Sequence, residues 1–375
     1  MKIAWLNWYR GFALICIITY HLNQIRPIQN LALWDWKLYQ FFSLLPVAVG
    51  IFFILWGFLR SLSYWKVVYG WGEIPPFWKW VKDRIFRIAP LYYLALLASF
   101  LWSAFLWVED WKSFLVGFTF FSWMHPSTFF PVALNGPLWF VAYDMMGNLI
   151  VMIFMTKIFW FLRKIKIRKF WIVSILFFLG FAILLALHSA FVSLPYPKLE
   201  WIVSVWFPYY NPFIFWIYYL FWALIAWIYL HLKVRNMRPS LIGDALFILS
   251  LLGIGYFLTR IRGATDLAYS FPVSPFRFPF VPFLLGVSIF GLLFSKYISK
   301  WIDNRWFVFF GKISYPLYLF HALIIVMIQY FFFGERFQSF REWSIFSSIV
   351  LTISLLVSTV LIRLEGFLTK KYLSK

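Results

Sequence analysis

The residues best suited to chemistry in this chain are Arg10 and His21, both inside the first apolar stretch, Ile3 to Leu22. Apolar helices exclude such residues, because a charge near the centre of a bilayer costs about 3 kcal/mol or more. They are eleven residues apart, about three helical turns, so they share one face. The rise between them is about 16 Å, roughly half the hydrocarbon thickness. Imidazole is the commonest general base near neutral pH. Guanidinium is a permanent cation whose fork fits phosphate. Singly, each has a plainer reading: a snorkelling arginine and an interfacial histidine. On one face they outline a polar stripe with a cation near one membrane surface and an acid–base group toward the other.

Three further stretches add candidates. Arg84 and Arg87, in FWKWVKDRIFRIAPLYYLALL, are three apart and neighbours on a helix. They read either as positive-inside anchors or as a phosphate cradle at the cytosolic mouth. Asp144, in NGPLWFVAYDMMGNLI, is a carboxylate that needs a partner at its depth. It orients His21, as the third member of a triad does, or it pairs with an arginine such as Arg260 or Arg262. Ser314, Tyr315 and His321 lie in FGKISYPLYLFHALII. Ser314 can bond back to its own helix, beside the carbonyl that Pro316 frees. His321, deep in an apolar segment, is the better candidate for lining a cavity. His125, His188 and His231 read as loop or interfacial residues. No spacing resembles a metal site, and no glycine-rich nucleotide loop appears.

These residues must be positioned by membrane-spanning helices. The chain is 63% hydrophobic and 25% aromatic, with mean hydropathy +0.81, more apolar surface than a soluble core can use. The formal charge of +21 lies between apolar segments, where it sets topology and meets anionic lipid rather than nucleic acid. The expected fold is an all-α polytopic membrane protein, read as one transmembrane domain over residues 1–375. About ten spans are predicted, at 3–22, 38–59, 88–107, 138–162, 170–191, 212–232, 241–259, 279–295, 307–333 and 344–362. The apolar stretch 114–123 is too short to cross and is predicted to be re-entrant or interfacial. With both termini cytoplasmic, 25 of the 34 basic residues fall inside, whereas a crossing at 114–123 would put the run Arg163–Lys169 outside. The first segment carries Arg10 and lacks a small-residue cleavage site, so it is a span rather than a signal peptide. The lone cysteine, Cys16, excludes an internal disulfide and reads as packing.

Taken in order, these stretches resemble the acyltransferase-3 family of integral membrane O-acyltransferases. The resemblance rests on Arg10 to His21, GIFFILWGFLR (50–60), RIFRIAPLYYLALL (84–97), GPLWFVAYD (136–144) and GKISYPLYLFH (311–321), and it covers essentially the whole chain. Asn7 stands where the family commonly has aspartate, and Asp144 where it usually has glutamate. The resemblance implies transfer of an acyl group, usually acetyl, from cytosolic acyl-CoA to a hydroxyl of an extracytoplasmic glycan or lipid-linked sugar. It implies that Arg10 and His21 are essential; some relatives carry a fused extracytoplasmic esterase-like domain, and none is expected within these 375 residues. His21 and Asp144 are then the expected catalytic pair. Arg10, Arg84 and Arg87, with Ser314, Tyr315 and His321, are the expected acetyl-CoA-binding residues, with no metal. The same intramembrane polar groups also fit a transporter or channel without chemistry, although the internal repeats common in transporters are missing. A partner-binding membrane subunit ranks behind both, because the outer loops are short.

Overall fold

The computed structural model describes residues 5–25, 32–33, 36–37, 42, 45–73, 76–108, 111–164, 170–194, 212–259, 280–302, 304–333 and 339–373. Its helices are α1 (Trp5–Ile25), α2 (Val49–Val68), α3 (Phe77–Phe105), the short α4 (Trp111–Gly117), α5 (Leu138–Lys164), α6 (Phe170–Val192), α7 (Pro212–Val234), α8 (Leu241–Thr259), α9 (Phe280–Leu293), the short α10 (Ile298–Ile302), α11 (Arg305–Ile328) and α12 (Phe340–Leu373). The only other regular elements described are short 3-10 and π turns and a two-residue antiparallel ribbon, Ala32–Leu33 with Trp36–Lys37. Each of the ten predicted spans has a helix, and eight of the described helices are long and apolar enough to cross a membrane. The protein is therefore an integral, multi-pass, all-α membrane protein.

Two boundaries differ from expectation. The helix described for the second span is Val49–Val68, after a 3-10 turn over Leu45–Ala48 that contains Pro46; residues 38–41 and 43–44, where the span was expected to begin, lie outside the described residues. That helix runs on through Arg60, expected in an inner loop, because the guanidinium finds the Met152 thioether at 2.8 Å and the Tyr64 ring at 5.4 Å. It stops where Gly70 takes φ +83°, with Trp71 N–H bonded to the Lys66 carbonyl and Gly70 N–H to that of Val67. This is a Schellman ending, which needs the left-handed conformation that glycine adopts without cost. The helix of the third span begins at Phe77, earlier than the expected residue 88, and so carries Arg84 and Arg87, which were expected as neighbours on a helix.

The chain forms two compact units interleaved along the sequence. The first comprises Met1–Leu6, Val49–Phe77 and Gly147–Arg305; the second comprises Asn7–Ala48, Trp78–Met146 and Trp306–Lys375. In the first unit α2 lies along α7, and Gly57 lets the Trp222 side chain approach to within 3.1 Å of where a Cβ would stand. The Trp65 indole donates to the Ala223 carbonyl at 2.8 Å. Asp244 of α8 accepts from the N–H groups of Lys296, Tyr297 and Ile298 and from the Ser295 hydroxyl, satisfying the donors that open α10. α6 leaves Ile175, Phe178, Leu179 and Ile183 exposed, as a lipid-facing helix should.

Helix directions test the topology. Within the first unit Arg60 meets Met152 and Tyr64 meets Thr156, so α2 and α5 are parallel. That holds only if the chain between α3 and α5 does not cross. Within the second unit the hydroxyls of Tyr92 and Tyr93 in α3 reach the carbonyls of Gly117 and Phe118 at 3.0 and 2.9 Å. Tyr92 is about 20 Å along α3 from its end at Phe105. The segment that starts with α4 thus dips inward and returns through 3-10 turns at Ser122–Met124, Pro126–Thr128 and Ala133–Asn135. Trp123, Phe129 and Asn135 are buried along it. Residues 114–123 are therefore re-entrant.

This arrangement puts α3 and α5 on opposite headings. A Lys164→Cys variant in a Cys16→Ser background is expected to react with a membrane-impermeant maleimide only when the cytosolic face is accessible. Labelling from outside intact cells would mean that 114–123 crosses.

Candidate functional site

The two sequence-derived chemical helices, α1 and α11, lie side by side and parallel in the second unit. Trp8 meets Phe307 edge-on at 6.1 Å. A Cβ at Gly11 would stand 2.9 Å from the Phe310 Cβ, and one at Gly311 would stand 2.5 Å from the Asn7 Cβ. Only glycine tolerates that approach, so the backbones meet where small residues allow. Further along, the His21 and His321 rings lie 5.1 Å apart, with Tyr20 edge-on to His21 at 4.9 Å. The structure thus brings together the two histidines that the sequence left on separate spans.

His321 is fully buried, and its Nδ1 lies 2.7 Å from the Tyr318 carbonyl. A carbonyl only accepts, so Nδ1 carries the hydrogen and Nε2 presents a lone pair. That Nε2 is buried with no hydrogen-bond partner among the described residues. The turn is held from outside the helix as well. The Tyr318 hydroxyl donates to the Pro137 carbonyl at 2.8 Å, and Asn135 Nδ2 donates to the Ser99 hydroxyl and the Leu319 carbonyl, each at 2.9 Å.

The other end of the site is cationic. Arg10 lies within electrostatic reach of both Arg84 and Arg87. No carboxylate among the described residues comes within salt-bridge distance of Arg10 or Arg87, whereas Arg84 Nη2 pairs with Asp144 Oδ2. Asp144 was expected to orient His21 or to pair with Arg260 or Arg262. Its described salt bridge is to an arginine, Arg84, and the His321 imidazole packs against His21. A carboxylate in a weakly polarisable interior is compensated far better by a permanent cation than by a neutral ring. Arg260, Arg262 and Arg277 lie outside the described residues.

Ser314 and Tyr315, expected at the donor, both donate within the protein. Ser314 bonds back to the Gly311 carbonyl at 2.9 Å, and Tyr315 donates to the Ile88 carbonyl of α3 at 2.7 Å, two residues before Pro90. Tyr315 thereby ties α11 to the helix that carries Arg84 and Arg87. Elsewhere, His125 is a loop residue: its Nδ1 accepts from Ser127 N–H at 3.2 Å and caps the turn that follows.

Three residues of this neighbourhood escaped the sequence reading. Asn135 begins the quoted stretch 135–150, and Tyr318 sits within 311–321, yet neither type signals a role without its partners. Glu365 of α12, an acid in a basic tail, lies within electrostatic reach of Arg87 and Tyr315.

The arrangement is one of a cluster of arginines and a pair of packed imidazoles on neighbouring helices of a membrane protein. A family model described as an acyltransferase domain, Acyl_transf_3, matches residues 3–363, nearly the entire chain. The chain belongs to this acyltransferase-3 family and is a membrane-embedded acyltransferase. No curated protein and no solved structure matches it.

Because the Arg84–Asp144 pair is only partly exposed, 20% and 15% for the two side chains, breaking it is costly. Asp144→Asn is expected to destabilise the protein by about 1–3 kcal/mol. The Arg84→Gln/Asp144→Asn double variant should recover part of that loss. Strict additivity of the two single effects in thermal unfolding would show that the pair contributes nothing.

Proposed function

We propose that the protein transfers an acetyl group from cytosolic acetyl-CoA to a hydroxyl of an extracytoplasmic glycan or lipid-linked sugar. The observation that carries this reading is the α1–α11 pair, with arginines toward one end and two imidazoles toward the other. Arg10 and Arg87 hold the donor's phosphates: neither is in a salt bridge with a described carboxylate, although Glu365 lies within electrostatic reach of Arg87. Arg84 is held in place by Asp144, so Asp144 acts on the donor end rather than as a partner of His21. The flexible thioester arm then spans the roughly 16 Å between Arg10 and His21.

At the far end His21 is the general base. It takes the proton of the acceptor hydroxyl as that oxygen attacks the thioester carbonyl carbon. The new C–O bond forms, the C–S bond breaks, and the proton passes from His21 to the departing CoA sulfur. The His321 ring packs against His21, with the ring centroids 5.1 Å apart, and so bounds the place where the acceptor hydroxyl meets the base. Cys16 lies five residues before His21 and is a buried packing residue with no part in the transfer.

The test uses membranes supplied with radiolabelled acetyl-CoA, with mass spectrometry of the envelope glycans. His21→Ala is expected to lower acetyl incorporation by about 100-fold or more, and Arg10→Gln to raise the KM for acetyl-CoA. Undiminished acetylation by His21→Ala would remove this residue from the chemistry.

A further inference from the structure

We infer that the re-entrant segment is the element that positions His321, with Asn135 and Tyr318 as its positioning residues. The inference rests on the proposed role of the His21–His321 end as the reacting end. The segment is anchored at its deepest point, where the Tyr92 and Tyr93 hydroxyls take the Gly117 and Phe118 carbonyls. It is anchored again at its exit by Asn135 and Pro137. Both exit bonds land on the same turn of α11: Asn135 Nδ2 on the Leu319 carbonyl and Pro137's carbonyl on the Tyr318 hydroxyl. That turn is the one whose Tyr318 carbonyl receives His321 Nδ1–H.

The bonds form a relay of constraint. The Pro137 carbonyl fixes the Tyr318 ring, the fixed residue presents its own carbonyl to Nδ1, and the hydrogen on Nδ1 leaves Nε2 as an acceptor. In an imidazole, the bond made by one nitrogen decides what the other can do. Asn135 spends both N–H groups on Ser99 and Leu319, and its Oδ1 stays buried with no partner. A buried carbonyl oxygen left unsatisfied is costly. Its retention is explained if the amide's task is to clamp α3 and α11 together, and not to satisfy itself. α11 needs such an external clamp: Pro316 supplies no N–H to the Lys312 carbonyl, so the helix is weakened one turn before His321.

The experiment combines a spectroscopic arm with a kinetic one. The protein contains five histidines, so histidine-labelled protein in lipid gives ring 13C and 15N signals assignable with a His321→Gln variant. The Nδ1–H tautomer is expected for His321 in the native protein. The near-isosteric variants Tyr318→Phe and Asn135→Asp are expected to convert it to a mixture. They should also lower kcat for acetyl transfer from acetyl-CoA about tenfold or more, with KM for acetyl-CoA within about twofold. Ser99→Ala, which removes one end of the clamp only, should give a smaller change of the same kind. Variants that keep the native tautomer and native kcat would overturn the inference. So would variants whose only effect is a smaller yield of folded protein with normal kinetics. If His321→Gln retained full acetylation, the role of the histidine pair in the reaction would fall, while the tautomer signals would still decide whether the re-entrant segment sets that ring.

Discussion

A polar group carried into an apolar span is costly unless it finds a partner inside the protein, because hydrocarbon supplies none. The second unit is organised by that constraint. Two prolines, Pro90 and Pro316, lie inside its long helices and remove backbone donors. Side-chain hydroxyls and an amide tie the neighbouring turns: Tyr315 reaches the Ile88 carbonyl two residues before Pro90, and Ser314, Tyr318 and Asn135 make bonds on either side of Pro316. Tyr315 and Asn135 thereby bond α11 to α3. The site residues hang from the same bonds.

The charged end follows a related logic. Three guanidiniums in electrostatic reach of one another repel, and the cost is moderated by carboxylates from two other helices, Asp144 directly on Arg84 and Glu365 nearer Arg87. Acids and arginines in this neighbourhood do not cancel in number. An incompletely balanced cationic cluster is what an anionic donor would complete, and its place in an acyltransferase gives that excess a chemical use. The histidine end is built differently, from neutral groups whose directionality rather than charge defines what they can accept.

The re-entrant segment links the two scales of the structure. By turning back instead of crossing, it preserves the alternation that makes α2, α5 and α7 parallel. It also delivers Asn135 and Pro137 to the α11 turn that bears His321. One short stretch of backbone thus sets both the topology of later helices and the local geometry of a single ring. Such non-helical backbone survives at depth only when enclosed by protein, as the burial of Trp123, Phe129 and Asn135 shows here.

Much of this was readable from residue types alone. Hydrophobic length located ten helices, and the shortness of 114–123 identified a segment that could not cross, since bilayer thickness acts on the sequence directly. Arg10 and His21 stood out because such residues are expensive where they lie. Partner choice was not readable. Asp144 went to Arg84, His21 acquired His321 as a neighbour, and Asn135 and Tyr318 took on roles that their types never announced. Helix ends were also misjudged: α2 continues past Arg60, beside a neighbouring thioether and ring, and α3 begins at Phe77, before the expected residue 88. Burial is a property of a segment and can be read along the chain, whereas a hydrogen bond or ion pair depends on which helices are brought side by side, and only the folded protein decides that.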